Sequence, residues 1–231
     1  MDYNIKLNLP EPTLVKEEWD KHGIFELTNL FGESANVIWE YYFYDEVPWE
    51  LAVYPDLVAH KEYTIPYIKK DAPDLQKRVN HIYNIRNQEG FSYCYERNDN
   101  HFHPLLENLF FNPTFFDYIS KCTGYKNTKL NPENCFTSRY SSGHYNGIHT
   151  DGPNGRIAFV YHLSKDWGVQ NGGLFCKLDW DNNLIKAIVP PFDSLVVFDT
   201  VLNGKPGNPH MVTEVSQGCD NKRIGFTGWF D

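Results

Sequence analysis

From Cys135 onward the chain alternates short apolar runs with breaks of Gly, Asn, Asp and Pro. Eight runs stand out: FTSRY, GIHTD, RIAFVYHL, GLFCKL, LIKAIV, SLVVFD, HMVTEV and RIGFTGWF. Runs of this length bounded by turn residues read as strands, and eight in succession predict a double-sheet jelly roll. Residues 34–134 read mainly as helices. Leu75, Val79, Ile82 and Ile85 form an i, i+4, i+7, i+10 stripe after Pro73, which suits an early helical position. A second helical stretch starts near Pro104, breaks at Asn112-Pro113, resumes with Phe115, Phe116 and Ile119, and stops at Gly124. The aromatics between Trp39 and Trp49 have the spacing of core packing, although YYFYDEVPW (41–49) is also a candidate lid or groove wall. The expected fold is mainly β with flanking helices. Residues 1–231 form a single domain in which a jelly-roll, cupin-like core at 135–231 carries a mostly helical supporting region at 1–134.

Composition narrows the partners. Lys and Arg number 21 against 30 Asp and Glu, and a net charge of −9 disfavours a broad grip on a phosphate backbone, so no nucleic acid is expected. The opening MDYNIKLNLPEP has no basic region followed by an apolar run, and no apolar stretch is long enough to span a bilayer. A soluble, cytoplasmic protein without a membrane partner is the expectation. Five cysteines, odd in number and without paired spacing, suit reduced thiols better than a disulfide framework.

One pattern carries chemistry. On an extended segment His149 and Asp151 project to the same face, because side-chain direction repeats every second residue. A second imidazole from a distant strand would complete the two-His, one-carboxylate set of non-heme Fe(II) oxygenases, which leaves open positions for a cosubstrate and dioxygen. His210 opens a strand after Asn208-Pro209; His101, His144 and His162 compete for the same place. Alternation within RIAFVYHL puts Tyr161 and His162 on opposite faces, and His162 is expected to face outward. Arg223 lies one strand beyond His210, where a planar guanidinium matches a carboxylate. Gly225, Thr227 and Trp229 share its face. On these residues alone, a zinc or structural site remains a competitor.

The segments RYSSGHYNGIHTD, RIAFVYHLSKDW, NGGLF, PPFDSLVVFD, HMVTEV and RIGFTGWF, in that order, resemble the iron(II)- and 2-oxoglutarate-dependent dioxygenases. The branch is prolyl 4-hydroxylase-like, with hypoxia-type and ribosomal-protein prolyl hydroxylases as the pattern. The likeness covers residues 135–231 well and the preceding stretch loosely. It implies a double-stranded β-helix with N-terminal helices packed on it. It implies Fe(II) on His149, Asp151 and His210, which are also the catalytic set. It implies that Arg223 pairs with the distal carboxylate of 2-oxoglutarate, assisted by Tyr161, with Tyr140 and Thr227 lining the same space. Arg156, Trp167, Gly172 and Gly173 match family positions but read equally as a strand start and a tight turn. Two departures stand out. Collagen-type members carry Lys where this chain has Arg223, and the 203–209 loop before His210 is longer and more polar than usual.

The activity so implied is hydroxylation of an unactivated C–H, with a prolyl residue of a protein or peptide as the leading substrate. Dioxygen and 2-oxoglutarate are consumed, succinate and CO2 are the coproducts, and ascorbate is a candidate reductant. Hydroxylation of a free amino acid or small metabolite is the alternative. A non-catalytic cupin-like metal-binding or sensing protein is a minor one. Asp151 argues against the halogenase variant, which has Gly or Ala at this position, and the acidic charge argues against nucleobase demethylation.

Overall fold

In the computed structural model, which describes residues 9–44, 47–54, 67–68, 92–99, 101–151, 154–202 and 205–231 with isolated positions between 76 and 84, strands dominate. Helix α1 (Pro12–His22) leads into β1 (Ile24–Thr28), followed by α2 (Ser34–Phe43), β2 (Glu50–Tyr54), β3 (Tyr67–Ile68), β4 (Tyr93–Asn98), α3 (Pro104–Phe110) and α4 (Pro113–Thr123). The eight apolar runs then appear as β5 (Phe136–Tyr140), β6 (Tyr145–His149), β7 (Ile157–His162), β8 (Phe175–Leu178), β9 (Leu184–Ile188) and β10 (Ser194–Asp199). After the small pair β11 (Val201–Leu202) and β12 (Lys205–Pro206) come β13 (His210–Val212) and β14 (Arg223–Phe230).

Pairing is antiparallel and sorts the eight strands into two sets of four. One set is β10-β7-β14-β5, and the other is β6-β13-β8-β9. Strand β4 pairs with both β5 and β6 and so joins the sets, while β1 extends the first set beyond β10. This is a jelly roll, the closed double-sheet solution to burying two apolar faces against each other.

The helices near residue 110 end where the sequence places their caps. His103 accepts the Leu105 N–H at the start of α3, Asn112 accepts the Thr114 N–H at the start of α4, and Gly124 closes α4 in the left-handed region at φ 78°. Both helices cover the outer face of the first sheet. Phe110 stacks on Phe159 with ring centroids 4.8 Å apart and meets Phe226 at 5.0 Å. Trp49 and Tyr42 also belong to this outer layer, and Arg139 lies over the Trp49 ring, so the described part of 41–49 packs away from the barrel interior. The space between the two sheets holds a separate cluster of Ala158, Val160, Phe175, Val196 and Phe198.

The stripe Leu75, Val79, Ile82 and Ile85 lies outside the described residues. Helices still make up more of the described part of 34–134 than strands, but β2, β3 and β4 add strands that the mainly helical reading did not include. In YCYERN the larger side chains Tyr93, Tyr95 and Arg97 recur at every second position, a strand period that outweighs the helical character of its surroundings. Because β4 sits between β5 and β6, residues before 135 are part of the sheet and not only a layer upon it. No helix among the described residues is long and apolar enough to cross a membrane.

The α3 contact supplies a stability test. Phe110 is fully buried, and Phe110→Ala should cost about 3–5 kcal/mol, whereas Tyr44→Ala at an exposed position should change stability by no more than about 0.5 kcal/mol. Urea unfolding midpoints measure both. Equal effects would contradict the docking of α3 as a structural contact.

Candidate active site

Strands β6 and β13 bring the three candidate metal ligands together. His149 ends β6 opposite His210 at the start of β13, and Asp151 follows two residues beyond His149. Nε2 of His149 lies 3.6 Å from Asp151 Oδ1, and Nε2 of His210 lies 3.5 Å from the same oxygen. One ligand atom from each residue falls within 4.8 Å of the others. These separations are too long for direct hydrogen bonds and approach the roughly 3 Å expected between neighbouring ligands about 2.1 Å from one ion.

The donor chemistry fits a divalent cation. His149 Nδ1–H donates to the Gly147 carbonyl at 2.8 Å, which leaves the Nε2 lone pair directed at the shared point. His210 is oriented differently, by the rings of Phe198 and Phe175 at 4.8 and 5.7 Å, and its Nδ1 has no hydrogen-bond partner. Burial and then the neighbouring His210 push His149 down to about 4, so its imidazole is neutral at physiological pH. Burial alone would raise Asp151, but the two imidazoles outweigh it, with help from the Trp229 indole, and the carboxyl is held at about 2. A neutral His149 nitrogen beside an ionised Asp151 carboxylate is what ligation requires of these two residues.

Arg223 starts β14 and is buried at 1% exposure. Its Nε donates to the Gly173 carbonyl at 2.7 Å, its guanidinium lies 4.9 Å above the Tyr140 ring, and its Nη2 has no partner. Gly173 has φ +61° and no room for a Cβ, which would stand 2.9 Å from Arg223 Cδ. The tight turn therefore has a definite role, which is to bring its carbonyl to the guanidinium. Two other basic side chains are buried among the described residues, and each faces a carboxylate: Arg139 meets Glu96 at 2.6 Å and Lys177 meets Asp199 at 2.6 Å. Arg223 has no such counter-ion among the described residues.

Tyr140 faces Arg223 across the β5–β14 ladder. Tyr140 is buried beside Arg223 and stacks on Tyr95 at 5.0 Å, and Thr227 is half-buried on the face of β14 that carries Arg223. Tyr161 is not brought to this interior. It projects from β7 to the helix side, where it meets Phe31 at 5.2 Å and donates to Asp193 at 2.7 Å. Burial and the Asp193 carboxylate raise its hydroxyl well above the ordinary range. The interior face of β7 instead carries Ala158, Val160 and His162, so the expectation of an outward His162 is reversed. The expected parity was off by one residue, which in a strand exchanges the faces.

Several interior residues escaped the sequence reading. His162 is one, and the β4 face of Tyr93 and Tyr95, packed in one cluster with Tyr140 and Val212, is another. Asn146 pairs with Tyr93 and Val212 in the two ladders, and its Oδ1 is buried without a partner. Alternation in YCYERN could have found β4; the irregular register between His149 and Asn146 hides the latter. A surface groove of about 870 Å³ lies elsewhere, on α4 and the loop after it, and contains none of these residues.

Residues 135–231 match the family model described as the 2OG-Fe(II) oxygenase superfamily. No curated protein matches the chain. Solved structures are similar in fold. An oxidoreductase of the 2OG-Fe(II) oxygenase family from Burkholderia pseudomallei is 12% identical, with a TM-score of 0.57 over 98% of this chain and 93% of that one. A prolyl-4-hydroxylase from Pseudomonas putida is 14% identical, with a TM-score of 0.54 over 95% of this chain and 98% of the other. A prolyl 4-hydroxylase from Phytophthora capsici is 12% identical, with a TM-score of 0.54 over 100% of this chain and 69% of its own.

The His149 environment can be measured directly. In metal-free protein its imidazole should titrate near 4 by NMR, against about 6.5 for an unperturbed histidine. Between those two values the unfolded chain binds the proton and the folded one does not, so the His149 contribution to stability falls as pH drops through that window and levels off below it. A midpoint near 6.5 would contradict the described burial.

Proposed function

We propose that this chain, whose residues 135–231 match the 2OG-Fe(II) oxygenase superfamily model, is a 2-oxoglutarate-dependent dioxygenase that hydroxylates a prolyl residue of a protein or peptide. The observation that carries the cosubstrate part of the reading is Arg223, a buried cation with an unpartnered Nη2 and no counter-ion among the described residues. Such a group fits a carboxylate brought in from outside.

His149, Asp151 and His210 would hold Fe(II). When bound, the metal supplies the oxidative chemistry that couples decarboxylation of 2-oxoglutarate by dioxygen, yielding succinate and CO2, to insertion of one oxygen atom into a substrate C–H. The protein's own contribution is placement. Arg223, steadied by Gly173 and the Tyr140 ring, would fix one end of the cosubstrate. Phe175, Phe198 and Val160 line the interior with apolar surface and keep bulk water from the reacting groups. Tyr93, Tyr95 and Tyr140 form an aromatic wall beside Arg223, their rings packed on one another. The likeness to prolyl 4-hydroxylases supports this at the level of fold, and the motifs quoted from the sequence support it at the level of residues. All five cysteines are free thiols, in keeping with a reducing cytoplasm.

A second reading is favoured by one feature. Arg97 shares the β4 face with Tyr95, lies over Phe136 at 3.7 Å, and is 2.6 Å from Asp99. This partly exposed pair of opposite charges is what a free amino acid, with its own carboxylate and ammonium, would engage.

Incubation with Fe(II), 2-oxoglutarate and dioxygen, followed by mass spectrometry for a gain of one oxygen, separates the two. Prolyl-containing peptides should gain the oxygen. Gain on free amino acids alone would overturn the prolyl reading in favour of the second. Asp151→Ala should lower turnover by more than the about 10–100-fold that loss of an outer-shell partner costs a metal site. Full turnover in that variant would remove Asp151 from the ligand set.

A further inference from the structure

Strand β9 is the free edge of the second sheet. It pairs with β8 on one side and, among the described residues, with no strand on the other, so a row of backbone N–H and C=O groups faces outward. The opposite end of the strand order is closed. There β1 lies against α1, and its Ile24, Phe25 and Leu27 are buried. Strand β9 carries the reverse pattern. Leu184 and Ile185 are 60% and 46% exposed, Ala187 is exposed, and Val189 just beyond the strand is 36% exposed, while Ile188 turns inward to the cluster of Val160 and Phe175. Exposed apolar side chains on an unpaired edge are a template for another strand.

The edge suits a strand of its own sequence. A net charge of −9 sets copies of this chain against one another over most of their surface. Within 184–189 the one charged residue is Lys186, and it is engaged within its own chain by Glu26 of β1 at 2.8 Å. Ile185, Ala187 and Val189 place a small residue between two branched ones. A two-fold axis at Ala187 turns this pattern onto itself: Ile185 meets Val189 of the second copy, Ala187 meets its equivalent, and Lys186 meets Ile188. An axis one residue earlier would set Lys186 against Lys186, and like charges directly opposite are destabilising. The irregularity in the β8–β9 ladder falls between Lys186 and Leu184, so the residues nearest the Ala187 axis are regularly paired. Met211, Cys176 and Ala187 follow one another across β13, β8 and β9, and the same axis carries that apolar row into the copy.

We propose that this protein forms a homodimer through β9, the two strands lying antiparallel about a two-fold axis at Ala187. The contact is isologous and closes on itself, so it yields a dimer and no filament. It does not depend on the dioxygenase reading.

Sedimentation of the full chain over a range of concentrations reads the association. The unmodified protein should pass from monomer to dimer as concentration rises. Ala187 is exposed, so a charged side chain there leaves the core intact. Ala187→Glu and Ala187→Lys each set like charges across the axis and should each raise the dimer dissociation constant by about 10-fold or more. An equimolar mixture of the two variants should restore the dimer, because the mixed pair opposes unlike charges. A protein that stays monomeric at every concentration overturns the proposal and leaves the edge to an extended segment of a different protein. A dimer that both variants retain, or a mixture that stays monomeric, overturns it as well. Where the variants fold poorly, amide exchange in the unmodified protein decides. Amides of 185–189 should exchange more slowly in concentrated than in dilute solution, and exchange independent of concentration overturns the proposal.

Discussion

A guanidinium enclosed between two β-sheets, with no carboxylate to face among the described residues, is the constraint around which this molecule is arranged. Taking such a cation out of water costs several kcal/mol unless its donors are met. Arg139 and Lys177 show how the same chain ordinarily solves the problem, each closing on an acidic partner at 2.6 Å. Around Arg223 the solution is partial: one carbonyl from the Gly173 turn and the face of Tyr140, with Nη2 left over. The remainder of the fold must supply the stability that such a site lacks, and the outer aromatic layer of Phe110, Phe159, Phe226 and Phe230 is placed to do so.

The same constraint explains why strand parity matters so much here. Along β7 alternate residues see either the helices or the barrel interior, and the two environments ask for different chemistry. Tyr161 on the helix side finds Asp193 as an acceptor and Phe31 as a packing partner. His162 on the interior side finds Arg223 and open donors. The triad obeys the same rule at the other set of strands, where the His149–His210 cross-strand pair and the Asp151 side chain converge because β6 and β13 run antiparallel in that register.

Much of this was legible in the sequence. The eight short apolar runs all became strands because a period of two, punctuated by turn residues, has few other solutions. The spacing of His149 and Asp151 put both on one strand face, while the choice of His210 over His101, His144 and His162 and the role given to Arg223 came from the family resemblance. What was not legible depended on tertiary pairing. Nothing local to IFELT or YCYERN shows that β1 would extend one sheet or that β4 would bridge two, since those pairings join positions far apart in the chain. The inward residue of the Tyr161-His162 pair was misread because both are amphipathic and the surrounding run is apolar on both faces, as expected of a strand covered by helices on one side and a second sheet on the other. Asn146 was hidden by the register irregularity in β6, which shifts phase between it and His149.

The cluster of His149, Asp151 and His210 and the buried Arg223, whose Nη2 has no partner, are the two places at which we propose that one small dicarboxylate is held. A crystal structure of the protein with Mn(II) and 2-oxoglutarate tests that most directly. Metal is expected on His149, Asp151 and His210, with a carboxylate oxygen about 2.7–2.9 Å from Arg223 Nη2. A structure in which 2-oxoglutarate binds elsewhere and Arg223 Nη2 remains unpaired would contradict it.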